Sequence, residues 1–229
     1  MQETKVEDAK FPQDEFAQAG YFVSFRGNKQ YNGVAVASKQ KAQKIRLGLD
    51  GDPTDPDRLL AWEFGNFAVL NVYVPQGQDV ERPQFAYKLE WFKRLKKYLQ
   101  KYYKPQDHVV LCGDFNVAPE NIDVHNPKRI LGHVSFNPEV WKAYEDMKSW
   151  GFTDVFRHHH PGEAGQYTFF DYRVRDSVER NMGWRVDHIL ATRSVAVKSL
   201  GCTIDMATRL ADKPSDHAVI YAEWKGDGI

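Results

Sequence analysis

Two apolar runs, Leu59 to Phe64 and Phe67 to Val74, are separated only by Gly65 and Asn66. A connection this short makes its flanking strands pair antiparallel as a hairpin, even though Asn-Gly is the favoured order. Further strand candidates are Gly33 to Ser38, Val109 to Cys112, Ile189 to Ala191 and Val219 to Trp224. A helix is predicted from about Pro83 to Tyr103, where Phe85, Leu89, Phe92, Leu95 and Leu99 recur every three or four residues and Pro105 follows. A second has Asn137 as N-cap, Pro138 as first helical residue and Gly151 beyond its end. Strands outnumber helices, which predicts an α/β or α+β fold with helices packed on largely antiparallel sheets.

The chain has 229 residues, with no internal repeat and no Pro/Ser-rich linker, so one domain over 1–229 is expected. Two cysteines, Cys112 and Cys202, do not make a disulfide framework and fit a reducing compartment. No apolar stretch is long enough to span a bilayer, and Met1 to Asp14 is polar. A cytoplasmic protein is expected. The formal net charge is +0, so no global basic field points to nucleic acid. Lys39, Lys41, Lys44 and Arg46 form one local basic stretch. Lys93, Arg94, Lys96, Lys97, Lys101 and Lys104 form another, read as a solvated helix face.

The strand His108 to Cys112 ends in Gly113-Asp114-Phe115-Asn116. Extended backbone puts Asp114 and Asn116 on the same side, where a carboxylate and a carboxamide suit a hydrated metal ion and the water it activates. By itself the pattern is more often just a turn. Ser215-Asp216-His217 precedes the last strand, and both ionisable residues can serve one site only at a strand mouth. Asp187 begins an apolar run and needs a partner, either a histidine kept cationic or its neighbour Arg185. Tyr73 ends a strand, with a hydroxyl free for a phosphoryl oxygen or a place in the core. His158-His159-His160 is read as a solvated loop.

The segments QETK, NGVAVAS, NVYVPQG, LCGDFNVAP, GWRVDHIL and KPSDHA follow one another from Gln2 to Ala218. In that order they resemble the exonuclease III / AP endonuclease family of the exonuclease–endonuclease–phosphatase superfamily, with TFFDYR from Thr168 to Arg173 narrowing the likeness to the DNA-repair branch. The resemblance implies a DNase I-like, four-layered α/β sandwich. It implies Mg²⁺, with Mn²⁺ as an alternative, near Glu3 and Asp216. Asp114 would orient or deprotonate the attacking water beside Asn116. His217, paired with Asp187, and Tyr73 would bind the scissile phosphate. Phe169 and Trp184 match the wall that accepts a flipped-out abasic deoxyribose, and Arg173 and Arg185 are DNA-backbone candidates. The implied substrates are abasic sites and 3′ ends of double-stranded DNA, and the implied state is a monomer with no membrane association.

Family members carry a strand with a WNVNG-like motif and a helix before QETK, whereas Met1 here already stands at QETK. A truncated fold is therefore expected, with unpaired backbone beside the missing strand, self-association through that edge, and a poorly held Glu3. The competing expectations are a superfamily phosphatase acting on a lipid or sugar phosphate, and a catalytically silent DNA-binding domain.

Overall fold

The turn at Gly65 and Asn66 closes as expected. Strands β4 (Leu59–Phe64) and β5 (Phe67–Tyr73) pair antiparallel with Phe64 opposite Phe67, and Gly65 adopts φ 56°. The computed structural model describes residues 1–225. The other strands are β1 (Phe22–Arg26), β2 (Val34–Ser38), β3 (Lys44–Leu47), β6 (His108–Asp114), β7 (Phe152–Asp154), β8 (Asp187–Thr192), β9 (Ser199–Asp205) and β10 (Val219–Trp224). The helices are α1 (Gln13–Gln18), α2 (Pro83–Tyr102), α3 (Pro127–Ile130), α4 (Pro138–Lys148), α5 (Val155–His159), α6 (Arg193–Ala196) and α7 (Met206–Arg209).

Six strands form one mixed sheet in the order β3-β4-β5-β6-β8-β7, in which β5–β6 is the parallel pair. Strand alternation divides its side chains between two faces. Val109 and Leu111 of β6 and Leu190 of β8 join the core beneath α2 and α4, with Trp91, Phe92, Leu95 and Tyr144. Val110 of β6, with Ile189 and Ala191 of β8, faces the opposite layer with Cys202. Two antiparallel hairpins, β1–β2 and β9–β10, make that layer. Among the described residues no strand joins β2 to β10. Instead the segment Met1–Lys5 runs along β2, with Met1 N donating to Ala35 O at 2.9 Å and Lys5 N to Asn32 O at 3.0 Å.

Local chemistry sets the helix starts. Asn137 caps α4 by accepting from Glu139 N at 3.0 Å and Val140 N at 3.1 Å, a cap worth about 1 kcal/mol, and Pro138 follows it. On α2 the basic stretch is solvated at Lys93 and Lys101, beside Glu90 and Asp50, whereas Arg94 and Lys96 are largely covered as they pair with Asp55 and Asp146. The expected solvated loop at His158–His160 is corrected. His158 and His159 belong to α5, His159 Nε2 lies 2.7 Å from Ser199 Oγ, and His160 bridges Glu163 and the Cys202 carbonyl at 2.7 and 2.8 Å. His159 and His160 thereby pack against β9, while His158 stays exposed.

Candidate active site

Three neighbouring strands of the large sheet end side by side. Tyr73, the last residue of β5, is in register with Asp114, the last of β6, and Asp114 is in register with Asp187, the first of β8. The sequence needs a glycine just before Asp114. Gly113 has φ 139°, and a Cβ there would lie 2.0 Å from the Val72 carbonyl oxygen. Only hydrogen lets β6 approach β5 so closely. Beyond Asp114 the chain leaves the sheet, and Asn116 adopts φ 52°. The expected turn and the expected site are one structure. Asn116 N donates to Asp114 Oδ1 at 2.8 Å, and its Nδ2 donates to Asp114 Oδ2 at 3.1 Å and to the Val74 carbonyl at 3.0 Å.

Like charges directly opposite across a strand pair repel. His217 offsets this repulsion, its Nδ1 lying 2.7 Å from Asp187 Oδ2. One ligand atom from each of Asp114, Asp187 and His217 lies within 4.8 Å of the others. Burial works against the imidazolium, but the carboxylate of Asp187 overcomes it, and with Asp114 and Asp216 it pushes His217 up to about 10. Burial and the charge of Asp187 push Asp114 up to about 7, with the His217 charge opposing them. Asp187 therefore pairs with His217 and not with Arg185. Thr168 Oγ1 steadies this strand start by accepting from Val186 N and Asp187 N, each at 3.1 Å.

Asp216 and His217 precede β10, and both line one cavity of about 880 Å³ together with Glu3, Tyr73, Asp114 and Asn116. The strand mouth allows adjacent side chains to share that space. Glu3 is better held than expected. The Tyr73 hydroxyl donates to its carboxylate, and Lys5 Nζ lies 2.9 Å away. Its neighbour Thr4 is tied to Gly33 O through its backbone N–H. Tyr73 and Lys5 keep the Glu3 carboxyl below its ordinary range despite burial. Burial and the same carboxylate raise the Tyr73 phenol well above its usual value, so it stays a donor. The carboxylates of Glu3 and Asp216 are hard oxygen donors that suit a divalent cation of the magnesium kind.

Phe169 and Trp184 also line the cavity. Their backbones exchange hydrogen bonds at 2.8 and 2.9 Å, and Phe169 lies between the Trp184 ring at 6.3 Å and the His217 ring at 5.1 Å. Arg173 stands on the rim, its side chain 89% exposed and tied to Asp171. Arg185 is a correction. It is wholly buried, bonded to Asp123 at 2.6 Å and Asp154 at 2.8 Å, and has no access to DNA. Strand-like alternation through residues 184–187 turns it away from the cavity. Arg129, His133 and Met182 also line the pocket and were not identified from sequence. Arg129 sits on the one-turn helix α3, and His133 and Met182 in loops, where no sustained periodicity marks them.

Over residues 1–217 the chain matches the Endonuclease/Exonuclease/phosphatase family. It belongs to that family. Among the family's curated members, exodeoxyribonuclease III of Haemophilus influenzae is 35% identical over 98% of this chain and 88% of its own length. The solved structure of an AP endonuclease from Archaeoglobus fulgidus superposes with a TM-score of 0.95 at 46% identity, over 98% of this chain and 87% of that one. A 3′-5′ exonuclease from Neisseria meningitidis superposes with a TM-score of 0.91 at 33% identity, over 97% and 87%. The fold is thus the family's DNase I-like α/β sandwich of mixed sheets and helices.

Proposed function

We infer that this protein is a divalent-metal-dependent DNA-repair phosphodiesterase that cuts duplex DNA 5′ to abasic sites and trims 3′ ends. The observation that carries this reading is the row Tyr73–Asp114–Asp187, closed by His217, with Tyr73, Asp114 and His217 lining a cavity that Phe169 and Trp184 line as well. The relatives named for nuclease action favour it over a lipid or sugar phosphatase and over a silent binding domain. No helix among the described residues is long and apolar enough to cross a membrane.

Glu3 and Asp216 would hold Mg²⁺, with Mn²⁺ as a substitute. When bound, the metal neutralises charge that builds on the phosphate and favours ionisation of water. The protein's own residues do the rest. Asp114, raised to about 7, is a carboxylate whose basicity suits neutral pH, and it takes a proton from the attacking water while Asn116 fixes its orientation. The water oxygen bonds to phosphorus as the P–O3′ bond breaks, and the departing O3′ takes a proton from solvent to become the 3′ hydroxyl. His217 turns its free Nε2–H toward a phosphate oxygen, because Nδ1 is engaged by Asp187. Tyr73 contributes a neutral hydroxyl on the same side. Phe169 and Trp184 offer an apolar pocket to a sugar without a base, whose extrusion costs little because there is no pairing to lose.

The test is a labelled duplex carrying one abasic-site analogue, incubated in Mg²⁺ with the wild-type protein and with Asp114→Asn. Incision 5′ to the analogue and shortening from the 3′ end are expected, and the variant is expected to lose both by about 10²–10⁴-fold. An intact duplex under these conditions refutes the proposal.

A further inference from the structure

The buried stripe of α2 contains one basic residue. Lys88 follows Phe85 by three positions and precedes Phe92 by four, so the spacing that buries those rings buries it as well. It is completely inaccessible to solvent. Its Nζ donates to three main-chain carbonyls, Gln76 O at 3.1 Å, Asn116 O at 2.7 Å and Val134 O at 2.9 Å. Three acceptors call for three N–H donors, which the ammonium has and the neutral amine lacks. Burial pushes its pKa down to about 7, and Asp114 pushes back.

The three carbonyls come from chain segments far apart in sequence. Gln76 follows β5, Asn116 follows β6, and Val134 lies between α3 and α4. Gln76, Asn116 and the two neighbours of Val134, His133 and Ser135, all line the active-site cavity. The surrounding chain is fitted to the lysine stem. Gly77 has φ 98°, and a Cβ there would lie 3.2 Å from Lys88 Cδ and 3.4 Å from Val134 Cβ. A methionine would fill the same volume without the cost of desolvating a charge. What the ammonium adds is a directed tie among three backbones.

We propose that Lys88 is a positioning residue, whose three hydrogen bonds hold the segments carrying Gln76, Asn116 and the His133–Ser135 wall in one arrangement around the substrate. This rests on the active-site reading above. The experiment uses Lys88→Met, which keeps the stem and removes the donors. Backbone amide exchange is followed in residues 76–79, 116–119 and 132–136, and in the distant turn 105–107. The kcat and KM are measured on the abasic duplex. Exchange is expected to rise about tenfold in all three segments and to stay unchanged at 105–107. A drop of about a hundredfold in kcat with a smaller change in KM is expected alongside it, because displaced groups cost most in the transition state. Unchanged exchange, equal loosening at 105–107, or wild-type kcat overturns the proposal. The exchange arm reads the tie whether or not the wild-type protein cuts DNA, so a failure of the functional reading is told apart from a failure of the tie. If Lys88→Met does not fold, Gly77→Ala presses on the same stem. It must then loosen the same three segments selectively, and any other pattern overturns the proposal.

Discussion

Strand β8 feeds two clusters of buried charge, one on each face of the sheet, and they behave in opposite ways. On the helix side, Arg185 bonds Asp123, Asp154 and the His188 Nδ1, while Arg157 bonds Asp123 as well. His188 Nε2 donates to the Val117 carbonyl at 2.8 Å. Two guanidinium groups face two carboxylates, so the cluster is neutral. Its core is sealed from solvent, and Arg185 holds the Asp154 carboxyl far below its usual range despite burial. On the hairpin side, Asp114 and Asp187 share the single cation His217, and Glu3 and Asp216 stand nearby in the open cavity. That cluster is short of positive charge, and Asp114 is driven upward instead. The same residue types make a scaffold where charge and hydrogen bonds balance, and the candidate site where they do not.

Exchanging the response of the two clusters to mutation would break this comparison most decisively. Arg185→Met leaves Asp123 and Asp154 without their central partner and is expected to cost about 3–5 kcal/mol in urea denaturation. Asp114→Asn in metal-free protein removes a repelling charge and is expected to raise the melting temperature while abolishing cleavage. A stable Arg185→Met or a strongly destabilised Asp114→Asn would show that the assignment of scaffold and site is reversed.

The reactive side was legible in the sequence, and the scaffold side was not. Strand-end polar residues such as Asp114, Tyr73 and Asp187 interrupt apolar runs, so each marks itself, and the backbone register alone aligns them. Arg185 meets Asp123 and Asp154 at separations of 62 and 31 residues, which no local pattern encodes. Lys88 did leave a trace, as a charged residue on an apolar stripe. The hairpin β4–β5 and helices α2 and α4 were readable because their periodicity is long or their caps are explicit. Strands β1, β3, β7 and β9 were missed. β3 and β7 are short and β1 is half-exposed, so the alternation that would announce them is weak. The expectation of a loosely held Glu3 failed because Tyr73 and Lys5, not the strand alone, fix its carboxylate.

The imbalance has a pH signature of its own. The folded-state pKa of Asp114 is raised to about 7 from an ordinary value near 3.9, and that of His217 to about 10 from about 6.5. Between about pH 4 and 7 Asp114, and between about 6.5 and 10 His217, keeps a proton in the folded state that it loses in the unfolded one, so the contribution of each to stability falls as pH rises through its window. Burial pushes His133 down to about 4 and Lys88 down to about 7, and these two offset part of that fall. Metal-free protein is expected to melt at a lower temperature at pH 9 than at pH 5, and added Mg²⁺ is expected to narrow that gap by supplying the missing charge. Scanning calorimetry at the two pH values with and without Mg²⁺ checks this. An Asp114→Asn variant with the same pH dependence as the wild type would mean that the cluster is balanced after all.

The smallest expected effect separates the two arginines that the sequence placed together as DNA contacts. Arg173 is exposed on the cavity rim and held only by Asp171, so its removal costs no core packing. If it meets a phosphate, Arg173→Ala lowers the slope of log affinity against log salt by about 1 and leaves the melting temperature unchanged, because one counterion fewer is released. Binding titrations of the abasic duplex across a salt series, with catalysis blocked by Asp114→Asn, measure that slope. An unchanged slope removes Arg173 from the interface and assigns the rim's phosphate contact to Arg129 or Arg180, the other arginines that line the cavity. A lower melting temperature would instead make Arg173 a third scaffold arginine beside Arg157 and Arg185, and the contrast with buried Arg185 would disappear.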